Sequence, residues 1–436
     1  MQHRTSAAQA ALRSLAAGAL AVSPIIALLS VPAQSAAATV RIASITGSFP
    51  EREAIHGRAH HDSMVLGTYS FPASGAMGTN PAGNVIDDGT GTLYASMSGG
   101  GAYTQGALFK IKDTFQSNTA SVAYSFGQFS PDGSAPSATP LILGSWVYGS
   151  TSLGGNLNFG GSWRIKTNGF SYGWSDLSSA NIGQPSGQLL HKGNRNWGVS
   201  QYGGNGFGTL YSVTPSGNAS ICYAFNGSDG SQPVGNIISW NNDFYGVTTQ
   251  GGDNLVGVVF KINASCHLVW KHSFGAGNDG ASPAGGLLKV GNRIYGTTAY
   301  GGQYQAGTIF NIGADGSEQA VSPFKASGNI GTNPSGQLLY LTTNPPELYG
   351  TTMGGGGTSC TTAGVTGCGT IYTYKLPASP TSYSTQHSFQ GGAEGQNPAG
   401  GVMLEDITIN GFYGTTLYGG TGQAGTIWAW TCPSCQ

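Results

Sequence analysis

Apolar and polar residues alternate in short runs along most of this chain, and clusters of glycine, asparagine and aspartate part the runs. Within one stretch the runs are AGGLLKV, RIYGTT, GTIFNI and QAVSPF, separated by GN, AYGGQYQA and GADGSE. Runs of this length, rich in Thr, Tyr and Ile and bounded by turn formers, predict strands joined by hairpins. A helix would need apolar residues three and four apart over a longer span, and that period is missing.

The stretch recurs. IYGTTAYGGQYQAGTIF at 294–310 returns as FYGTTLYGGTGQAGTIW at 412–428, with LYGTTMGGG and FYGVTTQGG as further echoes. The aromatic of this word falls at Tyr94, Tyr148, Trp197, Tyr245, Tyr295, Tyr349 and Tyr413, in steps of 54, 49, 48, 50, 54 and 64 residues. Six positions after each stands a glycine pair, and upstream of each stands Pro-x-Gly or a variant, at Pro81, Pro136, Pro185, Pro233, Pro283, Pro334 and Pro398. Seven copies of a four-stranded unit about 50 residues long predict an all-β fold, a seven-bladed β-propeller of antiparallel blades.

The seventh copy stops after three strands, and an orphan fourth strand, VLGTYSF, precedes the first copy at 65–71. An N-terminal strand is therefore expected to complete the last blade and cover an edge otherwise open to pairing. The predicted boundaries are a signal peptide over 1–38, a linker over 39–61 and the propeller over 62–436. Arg4 and Arg13 precede the apolar run LAAGALAVSPIIALLSV, which exits at AQSAAA, the pattern of a secretory leader. No second apolar span follows, so no membrane span is expected after cleavage.

Composition narrows the function. Only 8% of residues are charged and the net charge is −1, so there is no basic stripe for nucleic acid. Six cysteines suit an oxidising compartment. Cys360 and Cys368 lie together in an enlarged sixth loop and are expected to staple it. Cys432 and Cys435 form a terminal CPSC, where a local disulfide is expected, and the pairing of Cys222 with Cys266 stays open.

The word YGTTxxGGxxxxGTxF, in seven registered copies from about residue 64 to 430, resembles the repeat of the choice-of-anchor GloVer (Gloeo/Verruco) proteins. The resemblance implies an exported protein, often held at the cell surface by varied C-terminal signals and without an assigned activity. It carries no catalytic residues. After GTIWAW come only TCPSCQ, so anchoring by a hydrophobic tail is not expected.

The glycine pairs lack the following helix, Lys and Ser/Thr of a phosphate loop, and read as turns. Acidic-Gly turns recur at Asp132, Asp229, Asp279 and Glu394, but one carboxylate per loop is far from the six to eight oxygens of a calcium site. Asp229 and Asp279, on adjacent blades, are a candidate pair for glycoside hydrolysis, but their repetition argues for structure. His56, His60, His61 and Asp62 precede the repeats and read as linker. His272 and His387 stand where other copies have Tyr and read as packed or edge residues. Neither a metal set nor a cofactor is expected.

What remains is a face. The loops after YGTT carry aromatic rings and amides, with Tyr202, Tyr300, Tyr304, Tyr418, Gln303 and Gln423 as the ligand-binding candidates. Flat rings with paired donors and acceptors suit a neutral, hydroxyl-rich ligand. Packing of these rings over the blade tops is the competing reading. The leading expectation is a secreted monomer that binds a polysaccharide or a surface protein without catalysis. The alternative is a carbohydrate-active lyase or hydrolase with its site at the axial mouth.

Overall fold

The computed structural model describes residues 65–431 apart from 113–118, 170, 326–329, 358–359, 363–364, 378–381 and 405–410. The stretches expected to be a leader (1–38) and a linker (39–61, with His56, His60 and His61), and Cys432 and Cys435, lie outside the described residues. The chain is a seven-bladed β-propeller. Seven antiparallel sheets of four or five strands follow one another, and a two-stranded hairpin decorates the sixth. We number the blades 1 to 7 by the anchors Tyr94 to Tyr413. Within a blade the strands run in sequence order, as in blade 3: Ile182–Lys192, Arg195–Gly203, Thr209–Val213 and Ala219–Ala224.

Closure follows the expected offset. Val65–Ser70 pairs with Thr426–Thr431, from Val65 opposite Thr431 to Ser70 opposite Thr426. Tyr69 and Phe71 then pack into one apolar cluster with Leu93, Phe109 and Ile111 of blade 1 and Tyr413 and Ile427 of blade 7. The chain's first described strand thus completes its last blade and seals it to its first.

The core lies between blades. Each apolar cluster joins two neighbours; one holds Leu210 and Phe225 of blade 3 with Phe244, Val258 and Phe260 of blade 4. The Phe of each aromatic-x-Phe word (Phe71, Phe126, Phe225, Phe274 and Phe389) is completely buried, as is Phe324 at the same place in blade 5. Burying such a side chain contributes about 1.5–3 kcal/mol, so the word is a packing signal.

Proline and glycine make the joints. The residue before each repeat proline (Asn80, Ala135, Gln184, Gln232, Ser282, Asn333 and Asn397) has φ between 50° and 57°. Its N–H donates to a carbonyl of the preceding blade, as from Gln232 to Phe207 at 2.9 Å and from Asn397 to Cys368 at 2.8 Å. At Asn80, Asn333 and Asn397 the side-chain amide adds a second bond to that blade. The Gly of Pro-x-Gly meets the next blade's backbone. A Cβ on Gly187, Gly235, Gly285 or Gly336 would lie 1.8–2.8 Å from it, and Gly400 meets Gly83 to close the ring. The first strands therefore converge around the axis with backbones in close contact, on glycine in every blade but the second, where Ala138 meets Gly83.

Candidate functional site

The opening word is largely architecture. Both members of all seven glycine pairs have φ between 58° and 101°, a conformation open to glycine at little cost. Their amides are used inside the fold, as from Gly101 to Gly75 O at 2.8 Å and from Gly252 to Gly227 O at 2.9 Å. The second Thr of YGTT bonds the Thr that opens the next strand, with Thr298 Oγ1 2.8 Å from Thr308 Oγ1 and Thr416 Oγ1 2.8 Å from Thr426 Oγ1. The acidic-Gly turn presses down on this buried hydroxyl pair at Gly280 and Gly395.

Two features exceed what the fold needs. One is the face formed by loops after the second strand of each blade. Ten large apolar side chains are exposed among the described residues. Eight of them (Tyr103, Leu157, Phe159, Tyr202, Phe207, Leu255, Tyr300 and Tyr304) end a second strand or sit in the loop that follows it. They come from blades 1 to 5. In blade 6 that loop carries the insert, fastened by a Cys360–Cys368 disulfide with both cysteines buried. In blade 7 Tyr418 is half-buried.

The sequence candidates therefore divide. Tyr202, Tyr300 and Tyr304 are 40–45% exposed and Gln303 is exposed. Gln423 is exposed, but its amide turns back to Gly420 O at 3.3 Å, as that of Gln305 does to Gly302 O. Tyr304 and Gln303 line a cleft of about 600 Å³ with Asp279, Glu318, Lys325, Ile330 and Tyr383. The Lys325 ammonium sits 4.8 Å over the Tyr304 ring.

The second feature is the set of acidic turns at the blade joints. Between blades 1 and 2, buried Asp132 accepts from Tyr124 Oη at 2.9 Å, Gly127 N at 2.8 Å, Gln128 N at 3.1 Å, Gly133 N at 2.7 Å, and from Tyr172 Oη. Burial and the hydrogen bond to Asp132 hold both phenols well above their ordinary range. Between blades 3 and 4, Asp229 accepts from Tyr223 Oη at 2.6 Å and from Asn226 N at 2.8 Å. That joint is also fastened by a Cys222–Cys266 disulfide, settling a pairing the spacing left open.

The joint between blades 4 and 5 differs. His272 ends the outer strand of blade 4, Asp279 opens the turn, and Glu318 begins the outer strand of blade 5. His272 Nε2 lies 3.5 Å from Asp279 Oδ2 and 3.9 Å from Glu318 Oε2. One ligand-type atom from each of the three lies within 4.8 Å of the others. Asp279 Oδ1 accepts from Gly275 N at 2.7 Å, whereas Asp279 Oδ2, His272 Nε2 and Glu318 Oε1 are enclosed without a hydrogen-bond partner. Burial pushes the Glu318 carboxyl up, with His272 opposing and Asp279 reinforcing. Sequence reading passed over Glu318. Its signal was an acid at a position filled by Tyr172 in blade 2 and Tyr383 in blade 6, each facing the fifth residue of its neighbour strand.

A family model described as the Gloeobacter/Verrucomicrobia repeat matches residues 60–243 and 184–362, more than half of the chain. The chain belongs to the Gloeobacter/Verrucomicrobia repeat family. No curated protein matches it. Among solved structures, this family member is similar to YCF48 bound to a D1 peptide, at 11% identity and TM-score 0.48 over 85% of this chain and 95% of that one. It is also similar to an oligogalacturonate lyase from Vibrio parahaemolyticus, at 9% identity and TM-score 0.47 over 85% and 98%. A third is a calcium-binding regucalcin from Agrobacterium tumefaciens, at 15% identity and TM-score 0.38 over 65% and 85%. These likenesses are of fold only. The repeat and the propeller fit a binding or scaffold module. No helix among the described residues is long and apolar enough to cross a membrane, and the two disulfides are consistent with an oxidising compartment.

Proposed function

We propose that this Gloeobacter/Verrucomicrobia repeat protein is a secreted, monomeric, non-catalytic binding module that takes a neutral, hydroxyl-rich ligand, a polysaccharide, on the loops of blades 1 to 5. The concentration of exposed rings on that one face carries the reading. A folded protein has little reason to leave eight large apolar side chains in one set of loops unless something covers them. Rings interspersed with Gln303 and with other amides suit sugar faces and hydroxyls better than they suit a charged partner.

The test is retention on a panel of immobilised neutral polysaccharides, scored for product release as well. The expected outcome is retention without release. Replacing Tyr202, Tyr300 and Tyr304 together by Ala should weaken retention by roughly a hundredfold, as loss of aromatic anchors does elsewhere. Thermal stability should barely change, and added salt should matter little because no charge pair is involved. Unchanged retention in the triple variant, or a large loss of stability, would remove the reading. Release of oligosaccharides would establish the lyase or hydrolase alternative instead.

A further inference from the structure

We propose that the joint between blades 4 and 5 binds a divalent transition-metal cation of the zinc class through His272 Nε2, Asp279 Oδ2 and Glu318. This site is independent of the polysaccharide reading.

The geometry comes first. Nitrogen and carboxylate oxygen at about 2.0–2.1 Å from a tetrahedral zinc ion stand about 3.3 Å apart. The separations here, 3.5 Å and 3.9 Å from His272 Nε2 to the two carboxylates, exceed that by only a few tenths of an ångström. All three ligand-type atoms lie within 4.8 Å of one another, so binding one ion draws the two carboxylates closer together.

The second observation is the unmet demand. Asp279 is only 6% exposed and its Oδ2 has no hydrogen-bond partner, although Oδ1 of the same carboxylate is bonded to Gly275 N. Burying a carboxylate oxygen without a donor is costly; His272 Nε2, also without a hydrogen-bond partner, lies 3.5 Å from Asp279 Oδ2, and Glu318 brings a second carboxylate whose Oε2 lies 3.9 Å from that nitrogen. A cation placed there satisfies all three at once.

The fold itself supplies the control. At the joint between blades 1 and 2 the same three positions hold Tyr124, Asp132 and Tyr172, and the two phenols donate to the two carboxylate oxygens. At blades 4 and 5 both phenols are exchanged for His and Glu, metal-ligating groups, and neither makes a hydrogen bond to Asp279 Oδ2. The ligands are also held in place. The His272 ring packs edge-on against Phe274 at 5.1 Å, and Glu318 is anchored opposite Ile312 in its sheet.

The chemistry selects the ion. One imidazole and two carboxylates suit zinc and its neighbours, whereas calcium requires six to eight oxygens and magnesium favours oxygen and water. Three protein ligands leave one position open. Asp279 and Glu318 both line the cleft that holds Tyr304 and Gln303, so the fourth position faces water or a ligand oxygen in that cleft.

The experiment titrates zinc chloride into metal-free full-length protein by calorimetry, in a background where His56, His60 and His61 are Ala. The linker histidines then cannot supply the signal. One equivalent is expected to bind with a micromolar or lower dissociation constant. His272→Ala and, separately, Glu318→Gln should each weaken binding by roughly a hundredfold. His387→Ala, at a joint without a second carboxylate among the described residues, should leave binding unchanged. Cobalt loading should give tetrahedral visible bands that His272→Ala abolishes. Circular dichroism confirms that each variant is folded, and Glu318→Gln keeps the test informative should His272→Ala not fold. Absence of zinc binding, binding indifferent to both substitutions, or binding of calcium but not zinc would overturn the proposal.

Discussion

The joint between blades 1 and 2 and the joint between blades 4 and 5 are built on one plan and reach opposite states. Each puts a buried aspartate at the head of an acidic-Gly turn, a residue of the aromatic-x-Phe word beneath it, and the start of the next outer strand beside it. Around Asp132 those neighbours are phenols, and the carboxylate gathers two hydroxyls and three amides. Around Asp279 they are an imidazole and a second carboxylate, and one oxygen stays orphaned. The backbone is the same in kind, so the difference lies in side-chain chemistry. A repeat fold can turn a structural joint into a candidate site by exchanging two residues without disturbing a strand.

A third joint extends the comparison and predicts the largest effect. Blades 3 and 4 are held by Tyr223–Asp229 and by the Cys222–Cys266 bond, whose partners are 44 residues apart. Replacing both cysteines by Ser should cost up to about 4 kcal/mol by the chain-entropy estimate for such a loop. Urea unfolding measures it. A loss near zero would mean that the noncovalent contacts of this joint suffice alone.

Next in size is the aspartate exchange itself. Asp132→Ala removes a buried charged acceptor from five donors and should cost about 3 kcal/mol. Asp279→Ala in metal-free protein should cost less than about 1 kcal/mol, because it also relieves the repulsion with Glu318. Equal costs from paired unfolding curves would erase the contrast between the joints.

Grafting one joint onto the other should show a smaller effect of opposite sign. The double variant His272→Tyr with Glu318→Tyr supplies Asp279 with the donors Asp132 has, and should gain about 1 kcal/mol in metal-free protein. A destabilised double variant would show that the cleft has been shaped around the smaller groups.

The smallest effect is expected at the joint of blades 6 and 7. There the hydrogen bond from His387, 3.3 Å from Glu394 Oε2, holds the Glu394 carboxyl below its ordinary value of 4.5, and Gln390 N assists. A depressed carboxylate stabilises the fold above its unfolded pKa and loses that contribution as pH falls through the folded one. Because Glu394 is partly exposed, screening keeps the contribution small. Glu394→Gln should therefore lower the melting temperature slightly at pH 6, and the difference should fade as pH falls through the depressed Glu394 value, below 4.5. A difference that persists in acid would mean that the hydrogen bond counts and the charge does not.

Much of this was legible beforehand. The spacing of the aromatic-Gly-Thr-Thr word revealed seven blades, and the orphan VLGTYSF strand revealed the closure, because local turn chemistry and strand alternation are written residue by residue. The Cys360–Cys368 staple was legible from proximity in sequence. The candidate rings were only partly legible. Tyr300 and Tyr418 occupy the same place in the word, yet one is 45% exposed and the other half-buried. Their neighbours differ, and a repeat pattern does not record neighbours. Glu318 was invisible as a site residue for the same reason: 46 positions part it from His272, and nothing local to either names the other.

By itself, then, the sequence determined the strands, their turns, the number of blades and the register in which they close. Those depend on backbone conformations that glycine and proline impose, and on apolar residues at fixed intervals. Tertiary structure alone decided which side chains meet across a joint, which rings stay in water, and which buried atoms lack a partner. These depend on contacts between blades, where residues far apart in the chain come within a few ångströms and each must satisfy, or leave orphaned, the polar atoms of the other.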